Sequence, residues 1–239
     1  MKGPGGKFDP SVDTDWQKEF FRTGRTEDYN LSFSGGSTGE KSASSYLISG
    51  EYFHQQGIVK GPDFERYSLC LNSGLTKGRF RFQENAQLTH INTTLLNGLP
   101  FIDVLQYLPS IPVYDPANAG GFGTGSTTQN TFATNPVGAQ LLLNRHQSDN
   151  RLAGNFTVDY SIFDFLTYRL NLAIDGHTYT NADAQQAGIL RQNTPINTSS
   201  LSEFLGYDVF LMAENTLNFT KTFGDHQRQR AGGLFGAGY

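Results

Sequence analysis

An all-β fold, an antiparallel transmembrane β-barrel segment, is what the 239-residue sequence predicts. Three observations carry that expectation. Apolar and polar residues alternate with period two in segment after segment, as they do in strands with two unlike faces. The connections between those segments take turns at being short and very long. Composition adds the third observation, since Gly 27, Phe 19 and Tyr 11 against Met 2 and Cys 1 suits strands and turns.

The first strand sets Tyr29, Leu31 and Phe33 against Asn30, Ser32 and Ser34. Tyr46, Ile48 and Tyr52 then oppose Ser45, Ser49 and Glu51, and Tyr67, Leu69 and Leu71 oppose Arg66, Ser68, Cys70 and Asn72. Phe80, Phe82, Ala86 and Leu88 stand against Arg81, Gln83, Asn85, Gln87 and Thr89, with Glu84 as the one charge on the apolar side. The cleanest alternation is Leu152, Gly154, Phe156, Val158 and Tyr160 against Ala153, Asn155, Thr157 and Asp159. Tyr168, Leu170, Leu172 and Ile174 follow against Thr167, Arg169, Asn171 and Asp175, and Leu217 and Phe219 against Glu214, Thr216 and Asn218. Helical spacing is confined to Phe101, Val104, Leu105 and Leu108 between Pro100 and Pro109, which predicts one short helix inside a long loop.

Short turns are expected at residues 37–42, 75–78, 162–165 and 223–227. Between them lie a modest loop at 57–63 and long extracellular loops at 92–148 and 179–207, far beyond the usual loop length. Short turns at one end and long loops at the other is the pattern of membrane barrels. Strands of about ten residues also fit a tilted crossing of the hydrocarbon layer. Leu, Phe, Val and Tyr suit lipid, whereas Asn, Thr, Gln and Arg suit a wet lumen. Phe53, Phe163, Phe165 and Phe223, near strand ends, are expected in interfacial aromatic girdles. The same alternation also fits a soluble β-sandwich, so a soluble or surface carbohydrate-binding module or adhesin stands as the alternative.

Several classes of chemistry are disfavoured. A net charge of −4 supplies no cationic field, so nucleic acid is not an expected partner. Cys70 has no second cysteine to pair with, and His54, His90, His146, His177 and His226 show no zinc-binding spacing. Gly121 to Gly125 is rich in glycine but lacks the strand before and the Lys-Ser/Thr after that a phosphate cradle needs. Asp13, Asp15, Asp103 and Asp115 lack the spacing of a calcium loop. Glycosylation-type triplets such as those that begin at Asn92, Asn155, Asn197 and Asn218 are supplied by chance in a chain rich in Asn and Thr. No stretch of about 18 apolar residues is present, and MKGPGGKFDP lacks the apolar core of a signal peptide. No catalytic residue, metal or cofactor is expected, and the chain reads as a non-enzyme.

TDWQKEFFRTG, YNLSFSGGS and YLISGEYFHQQGIVKGPDFERYSLCLNSGL closely resemble the early barrel of SusC/RagA-type TonB-dependent transporters of Bacteroidetes outer membranes. The residues concerned are Thr14 to Gln17, Ser34 to Ser37, Gln56 to Ile58 and Phe64 to Ser68, and IPVYDPANAGGFG and NFTKTFGDH extend the likeness downstream. The resemblance implies a barrel of about 22 strands filled by an N-terminal plug. On that layout, residues 1–27 are an extracellular loop and lead-in, and residues 28–239 are a partial barrel of about eight strands. The plug, the signal peptide and the TonB-binding segment are then absent from this fragment. Two features depart from the family pattern. Cys70 occupies a position usually polar or basic, and residues 227–233 alternate poorly, which raises the expectation of a truncated or frame-shifted end.

The function so implied is import of bulky nutrients, glycans above all, across the cell outer membrane. Its implied partners are a SusD-like surface lipoprotein, the TonB complex and outer-membrane lipid. Substrate or partner contact is expected in the proline-rich 92–148 loop. Tyr114 and Phe122 offer flat apolar faces there, while Asp115, Asn118 and Asn130 offer hydrogen bonds.

Overall fold

Alternating residues become strands when their backbone groups pair and one face finds an apolar neighbour. The computed structural model describes residues 9–98, 100–125, 129, 132–192, 194–223 and 229–238. A short helix α1 (Trp16–Phe20) precedes four strands, β1 (Arg25–Thr38), β2 (Ser42–Gln56), β3 (Asp63–Lys77) and β4 (Phe80–Thr94). Helices α2 (Pro100–Gln106) and α3 (Pro136–Leu142) lie in the next connection, before β5 (Leu143–Phe163) and β6 (Leu166–Gln185). Small strands β7 (Gly188–Ile189) and β8 (Pro195–Ile196) pair with each other, and β9 (Ser200–Phe223) and β10 (Gln229–Gly238) complete the chain. The principal sheet has eight strands in the order β1-β2-β3-β4-β5-β6-β9-β10, each antiparallel to the next.

The alternative β-sandwich needs two facing sheets, but these eight strands form one. Its apolar face carries Tyr29, Leu31, Phe33, Tyr67, Leu69, Phe156 and Leu172, all exposed to the surroundings. Leu31 is 64% exposed. The buried apolar cluster lies elsewhere, among the connections. No helix among the described residues is long and apolar enough to cross a membrane, which says nothing against a crossing by strands.

Stagger between hairpins gives the lean of the strands. Register carries Ala43, in the last pair of the first hairpin, through Thr76, Arg81, Asp159 and Arg169 to Thr216. Pairing of β9 continues seven residues further, to Phe223. Seven residues of about 3.4 Å, over six strand spacings of about 4.8 Å, amount to a lean of about 40° if the hairpins end at one level. Strands of membrane barrels tilt by about 35–45°. The Lys77–Phe80 hairpin closes on Gly78 at φ 60, a left-handed angle that tight hairpins assign to glycine. One irregularity interrupts the ladder, a register shift between Ser161 and Phe163.

Three sequence expectations change. Phe53 belongs to the polar face with Glu51 and Arg66, and the Arg66 guanidinium lies 5.3 Å over its ring. It is therefore not in a lipid-facing girdle, because an odd position in β2 points away from Tyr52. The 92–148 connection contains two helices rather than one, and α1 is a third. Strands also run further than alternation indicates. β5 begins at Leu143, β6 ends at Gln185 and β9 begins at Ser200, since pairing continues where neither face needs to be apolar. Residues 229–238 pair with β9 although 229–233 alternate poorly, because a ladder is made by backbone groups, and residues 224–228, where the last short turn is expected, lie outside the described residues.

Leu170 faces Val158 and Asn215 on the apolar side, whereas the Asn171 amide accepts from Thr157 Oγ1 and donates to Glu214 on the polar side. In the parent barrel, Leu170→Arg is expected to cost about 2–4 kcal/mol of folding into lipid vesicles. Asn171→Arg is expected to cost about 1 kcal/mol or less. Glu84→Leu, on the apolar face, should raise stability, with all three variants read by urea titration in those vesicles.

Candidate functional site

At one end of the sheet the connections fold together into a cap, and its buried side chains come from four separate segments. Asp15 caps α1 by accepting from the Lys18 amide, which directs Trp16 and Phe20 inward. Trp16 Nε1 donates to the Leu108 carbonyl at 3.0 Å, and its ring meets Tyr107 edge-on at 4.7 Å. Thr14 fastens the same segment to the Pro109 and Ile111 carbonyls. Arg22 reaches the Gly57 and Pro62 carbonyls, tying the lead-in to the connection between β2 and β3. The cluster is completed by Val59, Val104, Ile111, Phe122, Ala133, Val137, Leu142 and Leu190.

Amide side chains hold the irregular backbone. Asn135, 0% exposed, caps α3 by accepting from the Gly138 amide and donates to the Val113 and Gly123 carbonyls. Gln140 and the Asn97 backbone exchange two hydrogen bonds of 2.9 and 3.0 Å. Tyr107 donates to the Gly123 carbonyl at 3.1 Å, with the Leu190 carbonyl at 3.5 Å. Burial, reinforced by the Asp103 carboxylate, holds that hydroxyl well above the usual phenol range. At Gly123 any Cβ would strike the Pro112 carbonyl, so the two loop segments can approach this closely only with glycine there.

Four of the expected contact residues meet in one turn. Tyr114 and Phe122 form an antiparallel bridge, with ring centroids 5.5 Å apart. Tyr114 is 59% exposed, whereas Phe122, at 7%, is part of the buried cluster. Asp115 is half-buried and its carboxylate accepts from the Ala117 amide, shaping the turn. Asn118 donates to the Phe122 and Ile189 carbonyls, joining the 92–148 connection to the following one. Asn130 lies outside the described residues. Tyr107 and Asn135, which bind the backbone on either side of this turn, and Gln140, which ties α3 to Asn97, carry no part of the sequence expectation. Only Asn135 before Pro136 carried a signal, as a cap followed by a first-turn proline.

The polar face of the sheet carries paired charges. Arg66 meets Glu51 at 2.7 Å, Arg169 grips Asp159 through two bonds, and Arg151 does the same with Asp175. A groove of about 930 Å³ on this face is lined by Glu51, Arg66, Gln87, Arg151, Asp175 and Asp208 among others. Arrays of opposed charges and amides can orient a polar solute by hydrogen bonds, but no nucleophile and base are set against each other here. Among the described residues no three His, Cys, Asp or Glu side chains converge as metal ligands.

No family model matches the chain. TonB-dependent receptor P3 of Formosa agariphila is 26% identical over 241 residues, covering 93% of this chain and 22% of the relative. TonB-dependent receptor SusC of Bacteroides thetaiotaomicron is 28% identical over 187 residues, covering 70% of this chain and 18% of the relative. The structure of the RagAB peptide importer in its closed-closed state superposes with a TM-score of 0.69 at 20% identity, over 99% of this chain and 26% of that one. The chain is SusC/RagA-like. It spans about a fifth of the length of the curated relatives it matches. In this SusC/RagA-like segment the eight-stranded sheet is an unclosed stretch of barrel wall, and the cap is built from its connections.

Trp16, the single tryptophan of the chain, reports on the cap. Tyr107→Phe should destabilise the cap by about 1–2 kcal/mol and Asn135→Ala by about 2–4 kcal/mol, read as earlier denaturant-induced change in Trp16 fluorescence. Because the folded Tyr107 pKa is raised, its stabilisation is complete below the unfolded phenol value of about 10 and declines as pH rises toward the folded value. Tyr107→Phe should flatten that alkaline slope.

Proposed function

We propose that this chain is part of the barrel of an outer-membrane transporter that imports bulky nutrients, glycans foremost, with energy from the TonB complex. The single observation that carries this reading is the sheet itself: one leaning, unclosed wall, apolar and exposed on one face, charged and paired on the other. A sheet of that kind needs lipid on one side and water on the other. Likeness to TonB-dependent receptors over 93% of the chain supports the transport class. TonB would act through segments of the parent outside these 239 residues.

On this reading the cap is the extracellular surface, and a SusD-like lipoprotein closes over it. Phe101, Ile102 and Leu105 leave an apolar stripe of α2 exposed, chemistry suited to a protein partner. Tyr114 beside Asp115, on a turn held by Asn118 and Asn135, offers a ring face and a carboxylate, the pair of features that recognises a sugar ring. Phe122 and Asn118 contribute by holding that turn. Peptide cargo is the competing reading, because the similar solved structures are those of the RagAB peptide importer, or transporter.

Exchange of residues 92–148 between two parents of different substrate preference tests the assignment. Uptake of labelled oligosaccharide should follow the exchanged loop. Tyr114→Ala should weaken it about two- to tenfold, the value of one stacking contact. Uptake that follows labelled peptide, or that stays with the barrel, would assign the cargo or its recognition elsewhere.

A further inference from the structure

The polar face of β9 breaks its own pattern. Phe204 and Phe210 stand on it at 57% and 61% exposure, on either side of Gly206 and Asp208. Register places Phe210 opposite Asp175 and Asp208 opposite His177. A face turned to water gains nothing from exposed phenylalanine rings unless something covers them. Tyr179 lies across Gly206, where any Cβ would strike its ring. It stacks with His177 at 5.2 Å and meets Phe204 at 5.9 Å, so aromatic rings continue along the wall toward the cap. A ring laid over a strand glycine is a packing device. That accounts for Tyr179, but it leaves the exposed rings of Phe204 and Phe210 without a use.

A row of charge crosses the same place, with Glu51, Ser68, Thr89, Arg151, His177 and Asp208 in register. Arg66 holds Glu51, Arg151 grips Asp175, and His177 meets Asp149 at 3.1 Å. Among the described residues Asp208 is paired with no cation. The groove of about 930 Å³ therefore sets four carboxylates, Glu51, Asp149, Asp175 and Asp208, against the guanidiniums of Arg66 and Arg151. We propose that this strip of wall, from Phe210 to Phe204, is a binding subsite for an oligosaccharide without acidic groups, its sugars uncharged or ammonium-bearing. One face of a pyranose ring carries C–H groups that pack on an aromatic ring, and its edge carries hydroxyls that donate to carboxylates. A sugar resting on Phe210 has Asp175 directly across the ladder and Asp208 at the next position on the same face, about 7 Å along the strand. The Tyr179 ring over Gly206 lies about 14 Å from Phe210 along the strand, which leaves room for more than one sugar unit. An ammonium group is attracted by Asp208 and by the ring faces, whereas a uronate or sulfate would meet an excess of carboxylates. This inference rests on the oligosaccharide-import reading and narrows its cargo by charge.

The test uses the full-length parent in mild detergent, with Tyr114→Ala in place so that the cap does not contribute. Saturation-transfer NMR is recorded with glucosamine, glucose and glucuronate, each of the charged sugars differing from glucose at one carbon. Glucosamine should give the strongest transfer, and glucuronate at least fivefold less. Phe210→Leu, which keeps an apolar side chain but removes the flat ring, should lower transfer to glucosamine and glucose at least threefold. Asp208→Asn should erase the advantage of glucosamine over glucose, and Asp208→Arg should place glucuronate above glucosamine. Heat-modifiable gel mobility checks that each variant is a folded barrel. Equal transfer to the three sugars, or an order unchanged by Asp208→Arg, would overturn the subsite. No transfer to any sugar would overturn it too, and another segment of the parent would then be what covers the rings. Continued uptake of labelled oligosaccharide in that case leaves the cargo reading standing, whereas transfer to the tripeptide Lys-Gly-Lys alone overturns the cargo reading together with the subsite.

Discussion

Continuous backbone pairing from β1 to β10 is the constraint on which the rest of this structure depends. Side chains on a strand alternate, so a slip of one residue anywhere in the ladder would exchange the two faces of every strand beyond it. The shift at 161–163 is harmless because it falls at the hairpin end, with only the Phe163–Leu166 pair beyond it. Interior strands satisfy their backbone groups by this pairing, which is why a face of Leu, Phe and Tyr can be exposed to lipid at all. In such a surrounding the exposed face costs nothing, whereas in water it would be an aggregation surface.

The cap solves the opposite problem. Its chain is irregular, so its backbone groups cannot pair with one another in a ladder and must find side chains. Asn135, Gln140, Asn118, Tyr107 and Trp16 supply those partners, and each of them joins segments far apart in sequence. Long connections would otherwise be mobile. Here the hydrogen bonds of Asn118 and Asn135 fix the turn that carries Tyr114, and the α2 stripe stays exposed beside it.

Polar and apolar faces also differ in how they hold their own residues. Opposed charges on the polar face pair across neighbouring strands, as Asp159 with Arg169 directly opposite, because register brings them within hydrogen-bond distance of one another. Aromatic residues on the apolar face gather in two places, at Tyr29 to His90 toward the cap and at Phe80, Tyr160, Phe163 and Phe165 toward the hairpins. Between them lies the aliphatic band. Rings with one wet edge and one apolar edge suit these two rows, while Phe33 and Phe156 lie within the band itself.

Taken alone, the sequence determined the strands, their facing and the short hairpins, because period two and turn residues are local properties that no distant contact needs to supply. It also determined where the long connections fall. Only tertiary structure decided what those connections do. Tyr114 and Phe122 are both aromatic residues in one loop, yet one ring is exposed and the other buried, since Val113, Asn135 and Leu190 close over one side of the turn alone. Phe53 likewise could be placed only once register put it beside Arg66. Helix α3 is too short to announce itself by periodicity and forms where Asn135 is held by two carbonyls from another segment. Local pattern sets a residue's face on its own strand, but which chemistry meets it across space depends on partners many residues away.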